Sequence, residues 1–194
     1  MYIALEGIDT SGKSTQIKLL KETFKEAIIT KEPGGSSLGI QIREMILKEH
    51  SIDKTNHIDS KTEFLLFLAD RAEHTAKIIK PNQNKLIISD RSLISGIAYA
   101  KDIANAKELN LFATQNITPD AVIVLELDEN TLQNRLGQKQ NDIIEQRGIT
   151  YLLNIQKRIK SITKDLGCEL KIINASDSIE HIQENIKEFI QQKI

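Results

Sequence analysis

Five short, mostly apolar runs recur along the chain, each followed by glycine, a charged residue or, for the last, asparagine. Between them lie longer stretches in which apolar residues return every three or four positions, the spacing of an amphipathic helix. The runs are Tyr2–Glu6, Ala27–Lys31, Lys85–Ser89, Ala121–Leu125 and Leu170–Ile173. The unbroken run Ala121–Leu125 suits a central strand of a parallel sheet, and Tyr2–Glu6 reads as a buried strand.

The helical stretches fall between the runs. Ile17, Leu19, Leu20 and Phe24 follow the first run. After the second, Ser36 or Ser37 caps a helix carrying Leu38, Ile42, Met45 and Ile46, with Arg43 directed away from Ile42 and Met45. Lys48–Ser60 is polar, lacks periodicity and reads as a surface connection. A long helix is expected over about Lys61–Ile79, with one apolar stripe of Leu65, Leu68, Ala69, Ala72, Ala76 and Ile79, and Pro81 ends it. Phe67 and Arg71 are four residues apart, off the edge of that stripe, and so share a neighbouring face. Further helices are expected around Leu93–Tyr99, Leu109–Phe112, Asn130–Leu136, Tyr151–Leu166 and Ile179–Ile190. The charged, glycine-bounded stretch Gly137–Gly148 reads as a mobile lid. Strands alternating with helices predict a mainly parallel sheet with helices on both faces. No repeat, low-complexity tract or second domain interrupts the pattern, so residues 1–194 read as one domain.

Composition narrows the class without changing this outline. Of the 194 residues, 27% are charged and 40% apolar, ordinary values for a globular protein. The net charge of −1 provides no global field for nucleic acid or a membrane surface, and neither is expected as a partner. No apolar run approaches membrane-spanning length, and the chain enters its first strand at once, leaving no room for a signal peptide. Cys168 is the only cysteine, which excludes an internal disulfide and suits a reducing, cytoplasmic location, with the thiol buried and inert. His50, His57, His74 and His181 are scattered without metal-ligand spacing and read as surface or helix-packing residues.

The chemistry begins at Gly7-Ile8-Asp9-Thr10-Ser11-Gly12-Lys13-Ser14-Thr15, which has the form G-x4-G-K-[ST] between a strand and a helix. This is the context in which a phosphate-binding P-loop is credible. Its glycines let backbone N–H groups reach phosphate oxygens, the helix directs its positive end at the same place, and Lys13 supplies a mobile cation. The Ser14 hydroxyl is a Mg²⁺ ligand in such loops. The expected architecture is therefore an α/β, three-layer P-loop NTPase fold with a five-stranded parallel sheet. Ligands of such sheets gather beyond the carboxyl ends of the strands. Glu32-Pro33-Gly34-Gly35 and Asp90-Arg91 lie at those ends with the P-loop, so three polar groups converge on one cleft. No guanine-reading N-K-x-D follows Asn84-Lys85, and the L-S-G-G-Q signature of transporter ATPases is absent.

These elements together resemble the thymidylate kinase family. The resemblance rests on Leu5-Glu6-Gly7-Ile8-Asp9 with the P-loop, Lys31-Glu32-Pro33-Gly34-Gly35, Phe67 with Asp70-Arg71, and Asp90-Arg91 followed by Ser95 and Ala98-Tyr99. It covers essentially the whole chain, and the Glu-Pro-Gly-Gly and Asp-Arg elements are more specific than the P-loop. It implies transfer of the γ-phosphoryl of ATP to dTMP with Mg²⁺, giving dTDP for DNA synthesis, in a homodimer. ATP would lie on residues 7–15. The dTMP site would comprise Asp9 on the 3′-hydroxyl, Glu32 and Pro33, Arg43 and Arg91 on the phosphate, Phe67 stacked on thymine, Arg71 donating to O4, Ser95 at the base edge, and Tyr99 against C2′. Asp90 would hold the metal with Ser14, while Glu6 orients the loop.

One departure stands out against that resemblance. Relatives carry a catalytic arginine either in the P-loop, where this chain has Thr10, or in the lid, where Ile143 replaces the arginine of an Asp-Arg-x-Glu element. Arg135 and Arg147 are the expected substitutes, beside Lys13, Arg91 and Asp9 as catalytic groups. Two alternatives stay open: a kinase for another nucleotide or deoxynucleoside on the same fold, and an ATP-binding regulatory module.

Overall fold

The computed structural model describes residues 1–52, 58–136 and 148–194, with side chains at all of these except 47–52. Five strands, β1 (Tyr2–Glu6), β2 (Ile28–Lys31), β3 (Ile87–Asp90), β4 (Ala121–Glu126) and β5 (Glu169–Asn174), form one sheet in the order β2-β3-β1-β4-β5. Every pairing is parallel. The central strands bury both faces, as their unbroken apolar runs require: Ile3, Leu5, Ile88 and Val122 through Leu125 are almost fully enclosed.

The helices are α1 (Lys13–Thr23), α2 (Ser37–Ile52), α3 (Ser60–His74), α4 (Leu93–Tyr99), α5 (Ala106–Ala113), α6 (Glu129–Leu136), α7 (Ile149–Asp165) and α8 (Ile179–Gln191). Their layering follows from connection handedness. The step from β1 to β2 runs one way along the sheet, and the steps to β3, β4 and β5 run the other way. Right-handed crossovers therefore put α1 on one face and α2 to α7 on the opposite face. The packing agrees: α1 lies against α8, whereas α2 packs on α3, α3 on α4 and α5, and α4 on α7. The result is three layers.

Two expectations need correction. Residues 48–52, read as surface connection, continue α2 to Ile52. Leu47, Lys48 and Glu49 are good helix formers, which favours carrying the helix on. The second concerns α3, which continues through a π-helical turn (Thr75–Ile79) into a 3₁₀ turn (Lys80–Asn82). Half of its apolar stripe faces outward: Leu65 is 59% exposed, and Ala69 and Ala76 are exposed as well, while Leu68 and Ala72 are half-buried and Ile79 is enclosed. The buried side instead carries Phe64, Asp70, Arg71 and His74. On α2, Ile42 and Ile46 are buried while Leu38 and Met45 are exposed. The lid expected at 137–148 lies, but for Gly148, outside the described residues. Cys168 is a buried free thiol, and burial pushes its pKa up.

Candidate active site

Three strand ends come level with one another. Asp90 of β3 stands in register with Leu5 of β1 and with Lys31 of β2. The ladder carries on one step beyond, with Arg91 N–H donating to the Leu5 carbonyl and Glu32 N–H to the Asp90 carbonyl, both at 3.0 Å. The P-loop, the Glu32 loop and Arg91 are thus fixed to each other by sheet hydrogen bonds.

The P-loop folds tightly around Lys13. Its Nζ donates to the carbonyls of Gly7 at 2.9 Å and Ile8 at 3.0 Å, and the residue is only 7% exposed. Burial, followed by the neighbouring charge of Arg91, pushes the Lys13 ammonium down to about 8. Gly7 is required by space: a Cβ there would lie 2.7 Å from Ser11 Oγ and 2.9 Å from the Leu125 carbonyl oxygen. Gly12 caps α1, while Ser14 and Thr15 are exposed at its head. Thr10 takes a positive φ of 67°, a rare conformation for a β-branched residue, of the kind that surrounding structure must hold in place. Arg135 supplies part of that hold. From α6 it donates Nη1 to the Thr10 carbonyl at 2.9 Å and Nη2 to the Ala175 carbonyl at 2.7 Å.

Arg91 links the P-loop to α4. It also has a positive φ, 70°, and Ser89 Oγ braces the turn by donating to the Arg91 carbonyl at 2.6 Å. Its guanidinium donates to Asp9 Oδ1 at 2.5 Å, the Gly7 carbonyl at 3.2 Å and Ser95 Oγ at 3.0 Å, and lies 5.6 Å from the centre of the Tyr99 ring. Ser95 is fully engaged, since its hydroxyl also donates to Glu6 Oε2 at 2.5 Å. Glu6 is enclosed and further accepts from Ser92 Oγ at 2.7 Å. Burial raises its carboxyl above the ordinary value despite Arg91 and the serines. Asp90 Oδ1 is buried with no hydrogen-bond partner. Burial pushes the Tyr99 phenol up to about 12, so it stays neutral at any working pH.

On the other side of the cleft a second network surrounds Glu32. Its two oxygens take Arg71 Nε and His74 Nδ1, each at 2.8 Å. His74 reaches on to Thr30 Oγ1 at 2.7 Å, and Arg71 Nη1 donates to Asn110 Oδ1 at 2.6 Å. Burial alone would raise the Glu32 pKa, but Arg71 and the His74 hydrogen bond outweigh it and hold the carboxyl low. Asp70 accepts from Gly34 N–H at 2.9 Å, and Arg43 Nη1 donates to the Pro33 carbonyl at 3.0 Å, so both fasten the Glu-Pro-Gly-Gly loop. Phe67 is half-buried one turn before Arg71.

The candidate residues named from sequence lie at the end of β3, on the loops that follow β1, β2 and β3, and on helices α1 to α4 and α6 beside them, except Arg147, which lies outside the described residues. Arg135 touches the P-loop rather than the Glu32 network. Several participants in the polar networks escaped the sequence reading, among them Thr30, Ser92, His74 and Asn110. His74, taken for a packing histidine, is fully enclosed in the Glu32 network. Its signal was its place three residues after Arg71 and four after Asp70, on the same helix face. Asn110 had no local signal, because its partner is 39 residues away.

A family model described as Thymidylate kinase matches residues 5–186. The chain belongs to the thymidylate kinase family. It is 52% identical to the thymidylate kinase of Aliarcobacter butzleri over the full length of both chains. It is 53% identical to that of Wolinella succinogenes over 96% of each. The crystal structure of thymidylate kinase from Ehrlichia chaffeensis superimposes with a TM-score of 0.75 at 26% identity, covering 98% of both chains. Within a thymidylate kinase frame, the position of Thr10 takes on meaning: the P-loop has no arginine of its own there, and Arg135 of α6 approaches that residue's carbonyl instead.

Proposed function

We propose that the chain transfers the γ-phosphoryl group of ATP to dTMP, giving ADP and dTDP. The observation that carries the reading is Arg91. It is tied to the P-loop through Asp9 and the Gly7 carbonyl, and packed against Tyr99 of α4. A cation so placed serves an acceptor phosphate beside a donor triphosphate, which a one-nucleotide switch does not need.

ATP lies on residues 7–15, its β- and γ-phosphates on the loop amides and Lys13. The dTMP phosphate is held by Arg91, which keeps unengaged N–H donors, and by Arg43. Asp9 accepts from the 3′-hydroxyl, Phe67 stacks on thymine, Arg71 donates to O4, and Tyr99 occupies the space a ribose 2′-hydroxyl would need. Glu32 and Pro33 shape that pocket by holding Arg71 and Arg43. Ser95, with its hydroxyl already bonded to Glu6 and Arg91, orients Arg91 more directly than it meets the base. In the transfer a dTMP phosphate oxygen bonds to the γ-phosphorus as the bond to the β–γ bridging oxygen breaks, and ADP leaves. No side-chain nucleophile is needed. The protein supplies alignment and positive charge from Lys13, Arg91 and Arg135, with Arg147 of the lid as a further source.

The donor set fits Mg²⁺. Ser14 offers an exposed hydroxyl at the head of α1, and Asp90 a buried oxygen without a partner. Among the described residues no three His, Cys, Asp or Glu side chains gather as a metal site. Such a cation would complete its shell with phosphate oxygens and water, as Mg²⁺ does, and would supply charge neutralisation across the phosphates.

We further propose a homodimer through α2 and α3. Leu38 and Met45 on α2, Leu65 and Ala69 on its packed neighbour α3, and Ala76 on the turn that follows are exposed apolar residues, the small ones letting a second copy approach closely. Size-exclusion chromatography with light scattering tests this: Leu65→Glu should shift the protein to monomer. A native protein that is already monomeric would refute it. No helix among the described residues is long and apolar enough to cross a membrane. A cytoplasmic location is proposed from the single free thiol and the substrates.

The decisive assay couples ADP release to added dTMP. Preference for dCMP or AMP would overturn the acceptor, and ATP binding without acceptor-dependent ADP release would favour a regulatory module. Lys13→Ala should abolish turnover while leaving the fold intact.

A further inference from the structure

Asn110 has no part in the reaction as described, yet it is fully enclosed and bonded at both ends of its amide. Its Nδ2 donates to the Ala106 carbonyl one turn back on α5, at 2.7 Å. That bond fixes the amide orientation and turns Oδ1 towards Arg71 Nη1, 2.6 Å away. Glu32 holds the Nε edge of the same guanidinium at 2.8 Å. Two of its three nitrogens are thereby anchored by protein acceptors on different elements, and Nη2 takes no partner among the described residues.

Gly96 of α4 completes the arrangement. A Cβ at this position would stand 2.6 Å from both Arg71 Nη1 and Asn110 Oδ1, and 2.8 Å from Arg71 Cζ. The helix passes so close that any side chain would occupy the place where Arg71 and Asn110 meet. Arg71 is thus set by three separate elements: the loop after β2, helix α5, and the bare flank of α4.

We infer that Asn110 and Gly96 are positioning residues that orient the Arg71 guanidinium and, through it, set the preference for thymine over cytosine. The inference rests on the proposed role of Arg71 as donor to the base carbonyl. Thymine presents an acceptor at that position and cytosine an amino donor. A guanidinium held rigidly cannot turn away from a second donor, so cytosine is left with unpaired N–H groups in a dry pocket. A guanidinium freed at Nη1 can turn, and discrimination then weakens.

The test compares kcat and KM for dTMP and dCMP in the full-length protein. Asn110→Leu, which keeps the forked outline and removes the acceptor, should raise KM for dTMP about tenfold and lower the dTMP-over-dCMP preference by about the same factor, the effect of one lost oriented hydrogen bond. The KM for ATP should not change. Asn110→Asp, which restores an acceptor, should recover most of the preference, and Gly96→Ala should reproduce the Asn110→Leu behaviour. In an Arg71→Met background, Asn110→Leu should add nothing. If Asn110→Leu and Gly96→Ala both keep the native preference while Arg71→Met loses it, the inference fails and the role of Arg71 stands. If Arg71→Met itself keeps the preference, the base-reading role has failed and the inference with it. Should Asn110→Leu not fold, Asn110→Asp and Gly96→Ala carry the same comparison.

Discussion

At pH 9 the binding of ATP should draw nearly one proton from solution, and Lys13 is the group that takes it. In the free protein its nitrogen is buried between the Gly7 and Ile8 carbonyls, near the charge of Arg91, and its pKa is lowered to about 8. The neutral amine still has two N–H groups, enough for both carbonyls, so deprotonation breaks neither bond. A group with pKa about 8 is roughly nine-tenths neutral at pH 9 and roughly one-tenth neutral at pH 7. A triphosphate beside the nitrogen favours the charged form and drives the pKa back up. Uptake at Lys13 itself should then be about 0.9 proton at pH 9 and about 0.1 at pH 7. The terminal phosphate of ATP is fully ionised at pH 9 and does not contribute. Affinity should weaken by up to about tenfold per pH unit above pH 8, until the bound-state pKa is reached. The free protein responds in the opposite sense. Between about 8 and 10.5 the unfolded chain holds the Lys13 proton and the folded one does not, so folding stability rises with pH across that window. Isothermal titration calorimetry of ATP in two buffers of different ionisation enthalpy measures the proton number directly. A slope near zero at pH 9 would refute the reasoning. Equal uptake in Lys13→Arg, which cannot titrate there, would place the proton elsewhere.

Three further outcomes follow from the same geometry. Glu32→Gln strips a buried carboxylate from Arg71 and His74 and should cost about 3–5 kcal/mol in urea denaturation; a cost within the ±0.5 kcal/mol typical of surface substitutions would show that the network does not stabilise the fold. Since the Glu32 pKa is held below its ordinary 4.5, the native protein should keep this contribution above that pH and lose it as pH falls through the folded value. Gly7→Ala forces a Cβ against the Leu125 backbone, which has no room to yield, and should lower stability by roughly 1–3 kcal/mol and impair ATP binding, read by thermal melting with and without nucleotide. Arg135→Ala releases the Thr10 and Ala175 carbonyls and should reduce kcat/KM for ATP by about tenfold or more; unchanged turnover would remove Arg135 from the charge supply and leave Arg147 to be tested in the same way.

The strands and the P-loop were legible because their causes are local. A strand buried on both faces must be a continuous apolar run, and Tyr2–Glu6 begins and ends where its run does. A phosphate loop needs glycine and lysine at set spacing. Helix α3 shows what locality misses. Its apolar period was real, and it located a helix ending beside Pro81. Periodicity, however, reports that a stripe exists and not which way it points. In an isolated two-sided helix an apolar stripe belongs inside. Here Leu65, Ala69 and Ala76 are outside, and the enclosed face holds Asp70, Arg71 and His74.

Part of the reason is that α3 packs on α2, α4 and α5 and meets the Glu32 network on its enclosed side. Burial on that side is stabilised by complementary charge: Arg71 and His74 both meet Glu32 from the loop after β2, a partner some forty residues earlier. An arginine can be read as belonging to a face from its own helix alone, but its orientation depends on Asn110 and on the missing side chain of Gly96, and neither carries a pattern that points back to it. The polar interior of α3 makes the outward apolar stripe informative in turn. A helix that encloses Asp70, Arg71 and His74 while exposing Leu65 and Ala69 departs from the usual solvent argument at those positions. Covering that stripe with a second copy would restore the argument without displacing the Glu32 network. The same helix would then present Arg71 and Phe67 to the cleft from one side while its other side fixed it against a rigid neighbour.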